Sequence, residues 1–175
     1  MKKKLKQTNR LVIGVVLGLL VVSSAVVFAS NSSAFSAVTR PQVIVSLTGT
    51  VERNEETVNL DKASEVKPGE VLRWTISSNN QGDGNASDYK AVGRIPEGTE
   101  FVLDSAKADG EALVTFTIDG GKTFSPVPMI EEKQLDGTVK MVPAPASMYS
   151  QVRFEWKSAL VAKETINARY DVKVK

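Results

Sequence analysis

The side chains in this sequence with reactive or ligating chemistry are carboxylates, hydroxyls, amides and lysines. Among its 175 residues there is no Cys and no His. That removes Ser-His and Cys-His nucleophile pairs, a His general base, and any zinc held by thiolate or imidazole. A metal would need oxygen ligands alone. The best oxygen-rich stretch is Asp83, Asn85, Ser87 and Asp88. Measured against a calcium-binding helix-loop-helix pattern it fails, because Asp88 stands where Gly is required and Arg94 where Glu is required. It reads better as a solvated turn stabilised by Asx side chains. The pairs Glu55-Glu56 and Glu131-Glu132 are adjacent in sequence. On a strand, adjacent side chains point to opposite faces, so such pairs solubilise and do not converge. A carboxylate enzyme of glycosidase type would need two acids about 5–9.5 Å apart in a cleft, and no spacing here indicates one. The expectation is no catalytic residue, no cofactor-binding residue, no metal ligand and no cofactor.

Aromatic residues offer the other chemistry. Trp74 and Trp156, helped by Tyr89 or Tyr149, could stack on sugar rings. Each Trp, however, shares its strand face with apolar neighbours: Leu72 and Ile76 beside Trp74, Val152 and Phe154 beside Trp156. That face is the one each strand can bury, so both indoles are expected in the core. A carbohydrate-binding module using exposed aromatics is the alternative reading.

The elements that carry these residues follow from charge and period. Lys2, Lys3, Lys4, Lys6 and Arg10 precede an 18-residue run without charge, Leu11 to Phe28, closed by Val27-Phe28-Ala29 before Ser30. A basic start, an apolar run and small residues before a polar exit describe a secretory signal. The run also reaches the length of a membrane span, about 17–25 residues. Residues 1–29 are therefore read as a signal peptide or an N-terminal membrane anchor, a hydrophobic helix in either case. Residues 30–40 are read as a linker and 41–175 as one exported domain, extracellular, periplasmic or at the cell surface. Without cleavage, residues 11–28 hold the chain in the membrane. Of 22 basic residues those five lie before the run, leaving 17 against 20 acidic, a net of −3. No basic stripe remains, so no nucleic-acid partner is expected.

After Pro41 the period is two. Ile166, Ala168, Tyr170, Val172 and Val174 alternate with polar residues; so do Val152, Phe154 and Trp156; Leu72, Trp74 and Ile76; and Val114, Phe116 and Ile118. Val43, Val45 and Leu47 begin the same way. Turn residues separate the runs: Lys67-Pro68-Gly69-Glu70, Asn79 to Asn85, Ile95-Pro96-Glu97-Gly98, Asp119-Gly120-Gly121-Lys122 and Asp136-Gly137. The only helical candidate, Ser158 to Glu164, is too short. Residues 124–147 hold Pro126, Pro128, Pro143 and Pro145 and read as a partly extended excursion with edge strands at most. The pattern predicts an all-β, two-sheet antiparallel sandwich, with the apolar faces in the core and charged residues guarding the edges.

Three pieces in order, Val66-Lys67-Pro68-Gly69-Glu70-Val71-Leu72-Arg73-Trp74-Thr75-Ile76, then Asn80-Gln81-Gly82-Asp83-Gly84-Asn85-Ala86 with Ile95-Pro96-Glu97-Gly98-Thr99, then Val152 to Trp156 with Glu164 to Val174, resemble the bacterial conserved repeat domain family, domain of unknown function 11. The resemblance spans residues 43–175 and implies a single immunoglobulin-like copy on a secreted or surface protein, with no catalytic residues. Gly93-Arg94 stands where the family has an acidic residue, and Val161-Ala162-Lys163 where it has proline-glycine. The resulting expectation is an exported, non-catalytic structural or interaction module of the bacterial cell envelope, its partner an unknown protein or envelope polymer.

Overall fold

The computed structural model describes residues 39–63 and 65–175. The apolar run Leu11 to Phe28, and with it the signal-or-anchor reading, lies outside them.

Eleven strands account for most of the described chain, in the order β1 (Val43–Arg53), β2 (Glu56–Asn59), β3 (Val71–Asn80), β4 (Lys90–Arg94), β5 (Thr99–Phe101), β6 (Lys107–Ala108), β7 (Ala112–Thr117), β8 (Met129–Lys133), β9 (Val139–Pro143), β10 (Gln151–Trp156) and β11 (Thr165–Val174). The only helical pieces among the described residues are two 3-10 turns, Leu60–Lys62 and Ala146–Met148. Ser158 to Glu164 forms a turn, not a helix. Leu160 in that turn exchanges backbone hydrogen bonds with Ala86 at 2.9 Å each way.

The larger sheet runs β2-β1-β3-β11-β5, with β6 also on β11; the smaller is β4-β10-β7; all pairings are antiparallel. Together they make a β-sandwich-like, all-β fold. The period-two pattern explains it directly. Leu72, Ile76, Ala168, Tyr170 and Val172 of the larger sheet and Ala91, Val152, Phe154 and Trp156 of the smaller are buried in one core. Phe101 and Phe116 bring the two sheets' aromatic rings to 4.9 Å, and Phe116 stacks on Tyr149 at the same distance. Residues 124–147 are the extended excursion, folded on themselves as the separate two-stranded sheet β8-β9.

Two close approaches set the geometry. A Cβ on Gly93 would lie 2.3 Å from Cε1 of Tyr170, whose hydroxyl donates to the Arg94 carbonyl at 2.6 Å. Gly93 is thus the seat of a buried tyrosine. A Cβ on Gly82 would lie 2.2 Å from the Arg40 carbonyl. Here residues 40–42 cross the loop after β3, joined to it by Gln81 N–H to the Gln42 carbonyl (2.8 Å) and Gly84 N–H to the Arg40 carbonyl (3.2 Å).

One expectation is corrected. Val45 and Leu47 pair with the buried Ser78 and Ile76, so their side chains lie on the core face of the larger sheet. Yet they are 55 % and 56 % exposed. The periodicity identified the right face. The three strands of the smaller sheet leave that part of it uncovered.

Candidate interaction edge

The site grows out of the way β1 enters its sheet. Gln42 directs its carbonyl at β3, so by the alternation of an antiparallel ladder Val43, Val45, Leu47 and Gly49 turn their N–H and C=O groups the other way. On that other side β2 meets β1 only from Thr50 to Arg53. The reason is the turn Asn54-Glu55, both residues at positive φ (51° and 66°), which folds a four-residue strand straight back. Leu60 then closes over Gly49, where a Cβ would lie 2.6 Å from Leu60 Cδ1. From Val43 to Thr48 no described strand lies alongside.

This stretch carries Ile44 at 47 % exposure as well as Val45 and Leu47. From Pro41 through Val51 it has no charged residue. The expectation that charged side chains guard the sheet edges fails here, and β7 (Ala112–Thr117) carries no charge either. The open side of β4 has Lys90 and Arg94, and that of β9 has Lys140 and Pro143. The edge of β7 is closed at Phe116 by two hydrogen bonds to Ser125 (2.8 and 3.0 Å). β5 and β6 are three and two residues long. Among the described residues only Pro41, at its very start, protects β1. An uncharged, β-branched edge with no described strand beside it is the arrangement that accepts another strand.

The residues singled out by type do not converge on chemistry. Asp83 is tied to Lys163 Nζ at 2.8 Å, an ion pair that holds its carboxyl below the ordinary range. Asn85 Oδ1 accepts from the Ala162 N–H at 3.0 Å. The loop therefore spends its oxygens on the neighbouring turn, and among the described residues no three acidic side chains cluster as metal ligands. Glu131 and Glu132 sit on β8 opposite Met141 and Lys140, on alternate faces. Trp156 is 5 % exposed, its Nε1 donating to the Asp109 carbonyl at 2.8 Å. Trp74 is half-buried against the core, and Tyr89 donates to Ser78 Oγ at 2.9 Å. Tyr149 is 8 % exposed. These four rings form no exposed coplanar platform.

A concavity of about 470 Å³ lies where the excursion leaves the body, walled by Leu103, Pro126, Pro143 and Ala146 over Phe116 and Tyr149. Asp104 is its one ionisable side chain apart from Tyr149. A lone carboxylate in an apolar hollow lacks the second group that acid–base chemistry requires.

The signal that could have exposed the edge was present in the sequence: an uncharged β-branched run between Arg40 and Glu52. What the sequence lacked was the length of β2, which leaves the run without a described strand beside it. Comparison of the chain with family models, with curated proteins and with solved structures finds no match.

Proposed function

We propose that this chain is an exported, non-catalytic interaction module of the bacterial cell envelope, an immunoglobulin-like domain that acts by offering a sheet edge to another chain. The observation that carries this reading is the edge of β1 that no described strand covers, with Ile44, Val45 and Leu47 exposed on it. An edge of this kind invites aggregation unless it has an occupant. The basic start and apolar run of residues 1–29 support export. The absence of Cys and His and the scattered carboxylates support binding without bond making. The partner is a protein, because open backbone donors and acceptors in strand geometry are met by another strand. An envelope polymer would be better served by exposed aromatic rings, which the body keeps inside.

Crosslinking on intact cells tests the reading. The native chain should be found outside the cytosol and shift into higher-mass adducts. Leu47→Asp, which charges the edge without touching the core, should leave the adducts depleted. A cytosolic chain, or an adduct pattern indifferent to Leu47→Asp, overturns the proposal. So would a substrate turned over by the purified protein and lost with a single Asp or Glu substitution.

A further inference from the structure

We infer that the occupant of the β1 edge is the same edge of a second copy, the two strands pairing antiparallel about a two-fold axis at Val45. This rests on the reading of the edge as a docking site and names the partner.

The argument is one of register and charge. Only odd-numbered residues of β1 present backbone groups outward, so a self-pairing must set odd against odd. With Val45 opposite Val45 of the second copy, Val43 lies opposite the second copy's Leu47, and the reverse. These three positions are all hydrogen-bonded pairs of an antiparallel ladder. The five-residue overlap, about 17 Å at 3.3–3.4 Å per residue, ends before Gly49, where Leu60 packs, and before Thr50, where β1 starts to pair with β2. The first charges on either side are Arg40 and Glu52. In this register Arg40 faces the uncharged Thr50, so no like charges are opposed. The open side of β4 would instead carry Lys90 and Arg94 into any pairing.

The two-fold also explains the misplaced core face. Val43, Val45 and Leu47 point to the core side of the sheet beyond the reach of β4, β10 and β7. Joined edge to edge, the two copies would set these side chains against each other across one continuous sheet. Such a contact is isologous and closes on itself, so it yields a dimer and not a fibre. A five-residue strand overlap is a small contact beside the ~800 Å² per partner typical of stable complexes, so association should be concentration-dependent.

The absence of native Cys makes the test clean. In the full-length chain, Val45→Cys places two thiols across the axis, within the Cα separation of about 4.4–6.8 Å that a disulfide needs. Val92→Cys, exposed on the outer face of β4, is the control. Under mild oxidant Val45→Cys should form covalent dimer at least about tenfold faster than Val92→Cys, because paired strands raise the local thiol concentration. Adding Leu47→Asp should remove the difference, with the circular-dichroism melt of the reduced protein unchanged. Equal rates for the two cysteines, or dimer that persists with Leu47→Asp, overturns the self-pairing. Equal rates together with Leu47-dependent adducts of other mass on cells would discard the second copy and leave the docking reading standing.

Discussion

Asn80 and Leu160, eighty residues apart in the chain, are joined by a hydrogen bond from Asn80 Nδ2 to the Leu160 carbonyl at 3.1 Å, and both side chains are buried. The same amide also donates to the Gly84 carbonyl (2.8 Å) and the Val161 carbonyl (3.3 Å), and its Oδ1 accepts from Gln42 N–H (3.0 Å) and Gly82 N–H (3.2 Å). One side chain thus ties together the start of β1, the loop after β3 and the turn before β11.

Asn80→Ala should therefore cost more than an ordinary polar deletion. It leaves several buried backbone groups without partners, and about 2–4 kcal/mol of stability is expected to be lost. Urea denaturation measures this. Hydrogen exchange should quicken first at Gln42 and Gly82. A loss below about 0.5 kcal/mol, the size of an ordinary surface change, would mean water replaces the amide and the tie is not structural.

Gly93→Ala should collide with the Tyr170 ring, since the added carbon has no room at 2.3 Å. Overpacking of this kind costs about 1–3 kcal/mol. Tyr170→Phe removes the hydrogen bond to Arg94 and should cost about 1 kcal/mol. The two changes share one contact, so thermal melts of the double variant should depart from additivity. Independent effects would place the tyrosine elsewhere.

The pH response should carry the mark of Glu70. The Arg53 guanidinium donates to its carboxylate at 2.7 and 2.9 Å, and the Lys67 N–H adds a third bond at 2.7 Å. These lower its pKa to about 2, the Arg53 hydrogen bonds being the largest cause. A carboxyl lowered on folding contributes stability above its unfolded value, about 4.3. That contribution is lost as pH falls through about 2. Denaturant midpoints should decline across this window in the native chain and decline less in Arg53→Leu. The Glu70 carboxyl resonance should titrate near pH 2 in the native chain and return toward the ordinary range in the variant. Asp119 is likewise held below the ordinary range, first by the Thr117 hydroxyl and then by Thr123 and the Lys122 N–H, so its contribution is lost in the same direction as pH falls.

The β8-β9 arm should tolerate change at its tip. Leu135 there is fully exposed, while Ile130 near the root packs against the core. Leu135→Ser should alter the unfolding free energy by no more than a surface change does, about 0.5 kcal/mol. Ile130→Ala should destabilise measurably. The reverse order would mean the arm's tip is held by the body.

Strands with strict alternation were legible because side-chain direction repeats every second residue whatever lies opposite. Thus β3, β7, β10 and β11 fall where the pattern put them. The inner face of β3 in fact continues through Ser78 and Asn80, both buried. The pattern extends to them, but their polarity and the following glycines made the segment read as a surface turn. What alternation cannot contain is overlap between layers. Val45 and Leu47 look like any core pair, and only the narrowness of the smaller sheet exposes them. The Asp119-Gly120-Gly121 turn was visible, but its outcome was not. It leads to a two-bond bridge between Phe116 and Ser125, because the next strand pair belongs to the excursion.

β1 and β11 flank β3 on opposite sides and run parallel to each other, β1 starting and β11 ending at opposite ends of it. A pull on Arg40 against Lys175 would slide these strands along β3 in opposite directions. The ladder bonds lie across that direction, so they would bear the load together and not peel one by one. Load applied between these two ends would therefore meet the ladders in shear.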